Sequence, residues 1–264
     1  MATGRRTELV RRDGVTIETI IEGDGPALVM LPSLGRDGYE DFDEVAGLLA
    51  AGGLRVLRPQ PRGIGASAGP MEGVSLHDLA ADVAAAIDAL GGGRAVILGH
   101  AFGHFVARMT AVDFPDRVRG VVLAAAAAAE YPAEIAACPR IAGDLSRPEG
   151  ERLAALRLGF FLDGHDPTSW LHGWHPATQR MQIDCREKQG VKRTDWWHAG
   201  SAPFLELIPE RDPFKPREKW TEMREEFGAR VTTVMIPDAS HALFPEQPAR
   251  VAAAILDWMR ALPA

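Results

Sequence analysis

The stretch Ala95-Val96-Ile97-Leu98-Gly99-His100-Ala101-Phe102-Gly103 constrains this chain more than any other. Four apolar residues read as a buried strand. A G-x-x-x-G turn straight behind a strand reads as a strained strand-to-helix turn, a nucleophile elbow, that lifts its middle side chain above a sheet. The glycines are needed because the turn has no room for Cβ atoms on either side. Here the lifted side chain is a methyl group, which can neither attack a carbonyl nor take a proton.

The flanking sequence predicts an α/β architecture. Thr7 to Arg12 and Val15 to Glu22 read as two strands joined at Asp13-Gly14, a hairpin signal. Ala27 to Leu31, Leu54 to Leu57 and Val118 to Ala125 read as further strands, with continuous apolar character expected of burial on both faces. Between them lie helices over about 42–51, 75–90 and 102–114. The second shows Leu76, Leu79, Val83, Ile87 and Leu90 at helical spacing behind a Ser75/Asp78 capping pair. Strand–helix alternation after an antiparallel entry predicts a mostly parallel sheet covered on both faces. The pattern changes over 130–202, where strand-like runs stop and Trp and His accumulate. We read 1–129 and 203–264 as one core and 130–202 as an inserted helical cap. Pro203 to Ile208 and Val231 to Ile236 read as the last strands, with helices over about 216–227 and 248–261.

The 264 residues, 46% of them apolar, are enough for one full-sized core. A formal net charge of −7 argues against a nucleic-acid partner. No apolar run reaches the ~18 residues of a membrane span. The basic start, Met1 to Arg6, has no apolar segment behind it, so a secretory signal is not expected. Cys138 and Cys185 stand apart from each other and from histidine clusters, as expected of reduced thiols in a cytoplasmic protein. The pair His172-x-x-His175 is flanked by Gly173, Trp174 and Pro176, which argue against a helix aligning the two rings, so no metal is expected. The chain is compatible with a homodimer, and its assembly state is left open.

Two loops complete the elbow. Pro209-Glu210-Arg211-Asp212 follows the penultimate strand, and Pro237-Asp238-Ala239-Ser240-His241 follows the last. The order nucleophile position, acid, histidine lets Asp212 accept a hydrogen bond from one nitrogen of His241. That bond fixes the tautomer and raises the basicity of the other nitrogen. Glu130 is a second acid position, disfavoured by its long offset from the preceding strand. With GHAFG at 99–103, LPSLGRDG at 31–38, PRGIGAS at 61–67, PERDPFKP at 209–216 and PDASHALF at 237–244, the chain resembles the α/β-hydrolase fold superfamily over nearly its whole length.

The resemblance implies a mostly parallel eight-stranded sheet with a helical cap and an oxyanion hole from the backbone N–H groups of Phe102 and Leu34 (or Ser33). It departs from the pattern at Pro32-Ser33, where His-Gly is common, and at Gln60, where Asp is common. It departs above all at Ala101, in place of the Ser, Asp or Cys that defines the chemistry. Three readings of Ala101 stay open: an engineered replacement of serine, a native site working without a covalent intermediate, and a catalytically dead small-molecule receptor. The chemistry expected is hydrolysis of a small, fairly apolar ester, lactone or related carbonyl compound. A cofactor-independent lyase or dioxygenase-like reaction with His241 as base is the alternative. Ser33, Arg36, Trp174, Trp196, Trp197 and Phe244 are the expected substrate-binding residues, and no cofactor is implied. His100, His104 and Arg62 are read as structural.

Overall fold

The computed structural model describes residues 4–263; the first residues of the stretch read as lacking a secretory signal lie outside the described part. β1 (Arg6–Arg12) and β2 (Val15–Glu22) form the antiparallel hairpin. Its turn places Asp13 at φ 39° and Gly14 at φ 77°, both left-handed, as a two-residue hairpin turn requires. The chain continues through β3 (Ala27–Leu31), α1 (Glu40–Ala51), β4 (Arg55–Pro59), α2 (Leu76–Leu90), β5 (Ala95–His100), α3 (Gly103–Asp113) and β6 (Val118–Ala124). α2 starts where its capping pair stands: the Ser75 hydroxyl accepts from the Asp78 amide, and the Asp78 carboxylate accepts from the Ser75 amide.

Four helices occupy the excursion between β6 and β7: α4 (Ala133–Ala142), α5 (Glu149–Gly159), α6 (Pro176–Glu187) and α7 (Arg193–Trp196). β7 (Phe204–Pro209), α8 (Glu222–Phe227), β8 (Val231–Ile236), α9 (Leu243–Glu246) and α10 (Pro248–Ala261) complete the chain. The helix expected over 216–227 is split. Pro216 leads into a 3₁₀ turn at Arg217–Lys219, and the α-helix begins only at Glu222.

The eight strands form one sheet in the order β1-β2-β4-β3-β5-β6-β7-β8. The two pairings of β2 are antiparallel and all others parallel. Alternate residues of the central strands feed opposite layers. Val29, Leu31, Ile97 and Val121 pack with residues of α2 and α3; Leu28, Met30, Val96 and Val122 pack with α1 and α10. A third cluster, including Cys138, Leu156, Phe160 and Trp170, holds the excursion together. From β3 the chain steps to β4 on one side and later to β5 on the other. This reversal opens a crevice at the carboxyl ends of β3 and β5, where ligands bind in open α/β sheets.

Candidate active site

The elbow stands in that crevice. Ala101 has φ +45°, a left-handed backbone that costs a non-glycine residue roughly 1–2 kcal/mol. Hydrogen bonds hold it: its amide donates to the Ala124 carbonyl (3.0 Å), and its carbonyl accepts from the His104 amide (3.0 Å). A Cβ on Gly99 would lie 2.4 Å from the Gly103 backbone, and one on Gly103 would lie 2.5 Å from the Leu31 carbonyl oxygen. The two glycines therefore let β5, α3 and the end of β3 meet.

Asp212 and His241 come together beside it. The His241 Nδ1 lies 3.1 Å from each Asp212 carboxylate oxygen, and both side chains are buried. The Phe214 amide also donates to Asp212 (2.9 Å). With Nδ1 donating to a carboxylate, the neutral ring keeps its lone pair on Nε2. His241 packs against Phe214 (ring centroids 4.3 Å apart) and lines a cavity of about 360 Å³. Ala101, Phe102 and Leu34 line the same cavity. Among the described residues, neither the Phe102 nor the Leu34 amide donates to a protein acceptor.

The histidine loop is clamped in ways the sequence did not disclose. The carboxylate of Glu246, on α9, accepts from the amides of Ser240 (2.5 Å) and Leu162 (2.7 Å), and the Ala242 amide donates to the Phe160 carbonyl (2.8 Å). His100 donates from Nε2 to the His241 carbonyl (2.9 Å). Burial, followed by the neighbouring His241, pushes the His100 pKa down to about 3, so this ring is neutral and serves as a fixed donor. Its side chain thus holds the backbone of the histidine loop.

Several expected binding residues lie elsewhere. Ser33, Trp196 and Trp197 line the cavity, but Arg36, Trp174 and Phe244 do not. Arg36 is consumed by a bidentate pair with Asp41 (2.5 and 2.8 Å) and by the His172 carbonyl, and it stacks on Trp170 and Trp174. Trp174 packs in the core of the excursion and donates to the Trp170 carbonyl. Phe244 is buried against Phe42 and His100. These three stand in the structure around the site rather than at the cavity wall. Arg62 grips Asp82 with two nitrogens, and Glu130 is exposed, its carboxylate 3.9 Å from Lys219. His175 binds Asp37 (3.0 Å), and no three His, Cys, Asp or Glu residues converge on a metal position among the described residues.

Also unforeseen were Gln182, whose side chain accepts from the Gly35 amide (2.7 Å), and Gln60, which accepts from the Gly38 amide (2.9 Å). Both shape the loop carrying Ser33 and Leu34. Gln182, an uncharged side chain on α6, leaves no sequence signal for such a role.

A family model for the alpha/beta hydrolase fold matches residues 26–248. The chain belongs to the α/β-hydrolase family. It is 25% identical to epoxide hydrolase A of Mycobacterium tuberculosis, covering 98% of this chain and 99% of that protein. It is 24% identical to haloalkane dehalogenase 2 of the same species, covering 91% and 90%. Among solved structures, an esterase from Thermogutta terrifontis superposes with a TM-score of 0.76 at 24% identity, covering 97% and 98%. An esterase from Exiguobacterium antarcticum gives 0.78 at 18%, covering 99% and 100%. The two solved structures share this chain's fold.

Proposed function

We propose that this chain hydrolyses a small ester, lactone or related carbonyl compound without a covalent intermediate. His241 acts as general base, oriented by Asp212, and the amides of Phe102 and Leu34 act as the oxyanion donors. The helical excursion over 130–202 serves as the cap that closes the pocket. The observation carrying this reading is the His241–Asp212 pair beside a cavity that also includes Ala101.

The methyl group of Ala101 leaves room for water where a nucleophilic side chain would project. His241 Nε2 takes a proton from that water as its oxygen bonds to the carbonyl carbon. The negative charge passes to the carbonyl oxygen, between the two amides. As the tetrahedral intermediate collapses, the carbon–alkoxide bond breaks and His241 returns the proton to the leaving oxygen. Charge stabilisation and binding alone leave roughly 10³–10⁴-fold catalysis over water when a triad loses its members, so a missing nucleophile is compatible with turnover.

The test is intact-mass measurement under rapid quench during hydrolysis of p-nitrophenyl esters and aryl lactones. The alanine-bearing protein is expected to turn over while its mass stays unmodified, whereas Ala101→Ser gains the mass of an acyl group. An acyl adduct on the alanine-bearing protein, or the absence of turnover across the panel, would contradict the proposal.

A further inference from the structure

The cavity is charged in one sense only. Two arginines, Arg186 and Arg193, reach its wall, and no aspartate or glutamate does among the described residues. This is a cationic pocket in a chain of net charge −7.

Arg186, in the last turn of α6, is the most telling of these groups. Among the described residues its guanidinium has no carboxylate within ion-pair distance and no hydrogen-bond acceptor. Its carbon lies 4.1 Å from the ring centre of Phe105, a stacking that fixes the plane and leaves the N–H edge available. Arg186 is an exposed residue, and partial burial of its guanidinium pushes its pKa below the ordinary arginine range. Phe105 in turn lies 5.7 Å from Phe102, centre to centre, which ties the cation to the turn holding the proposed oxyanion donor.

Arg193 differs. It stacks on Trp197 and has Glu222 and Glu226 at 3.6 and 3.9 Å, so its charge is already answered. Next to the Phe105 ring, centroids 4.0 Å apart, stands His104, buried, with Nδ1 lacking any hydrogen-bond partner.

We infer that the substrate carries a carboxylate, held by Arg186, in addition to the carbonyl that reacts at His241. This rests on the reading of the cavity as the substrate site and narrows its substrate class to half-esters and lactone acids. A guanidinium grips a carboxylate through paired N–H donors, and the apolar walls at Phe105 and Trp196 suit a short hydrocarbon spacer.

The test is equilibrium binding by tryptophan fluorescence, because Trp196 and Trp197 line the cavity. Monomethyl adipate and dimethyl adipate are titrated at low and high salt. The protein is expected to bind the half-ester about 10-fold or more tighter than the diester, with the preference shrinking as salt rises. Arg186→Gln should abolish the preference and Arg186→Lys should keep part of it, while Arg193→Gln leaves it in place. Arg186 makes no internal hydrogen bond, so both of its variants should fold; matching circular dichroism spectra check this. Equal binding of the two esters, a preference surviving Arg186→Gln, or one that disappears with Arg193→Gln would overturn the inference. Preference without turnover would spare this inference and contradict the hydrolase reading; turnover without preference would do the reverse.

Discussion

At the scale of single residues, the site depends on buried imidazoles with different duties. His241 faces the cavity with Asp212 behind it, whereas His100 is a neutral donor to the His241 backbone. The His100 role has a consequence for stability. Its ordinary value of 6.5 falls to about 3 on folding because burial and then His241 disfavour its charge. As pH drops below about 6.5 the unfolded chain takes up this proton and the folded chain does not. Stability is therefore complete above that pH and is lost progressively down to about 3, at up to ~1.4 kcal/mol per pH unit from this group. Burial and nearby Arg108 push buried His104 in the same direction. Urea unfolding of the protein and of His100→Gln at pH 6.5, 5.5 and 4.5 should show a shallower pH slope in the variant. Equal slopes would remove His100 from the account.

At the scale of elements, the elbow works because β5 and α3 approach through glycine. Gly99→Ala would drive a methyl group into the Gly103 backbone at 2.4 Å, and backbone cannot swing aside as a side chain can. We expect it to destabilise by roughly 1–3 kcal/mol or more, read as a lower denaturation midpoint with an unchanged slope. A midpoint equal to the parent's would mean the turn is looser than described. This element was legible in the sequence because its demands are local: an apolar run, then two glycines framing three residues. The strand Ala27–Leu31 was legible for the same reason, continuous burial writing a continuous apolar run. The helix expected from 216 was misjudged because polar residues after a proline suit a 3₁₀ turn as well as an α-helix. That Arg36, Trp174 and Phe244 stand away from the cavity wall was not legible, because which face a loop or cap residue presents depends on tertiary packing. Arg36 in particular meets Asp41 only five residues away and stacks on tryptophans more than 130 residues on.

At the scale of the molecule, the strand order places four loops around one crevice. The reversal between β3 and β5 opens it, the loop carrying Leu34 and the elbow form its floor, and the loops after β7 and β8 bring Asp212 to His241. The excursion over 130–202 adds the aromatic walls Phe160, Trp196 and Trp197 to that crevice. The most direct measurement of the central claim is kcat/KM for ester hydrolysis by the protein and by His241→Ala, with Ala101 retained in both. The account expects a loss of roughly 10²–10⁴-fold on removing the imidazole. Equal rates in the two proteins would contradict it, since the base would then play no part in the reaction.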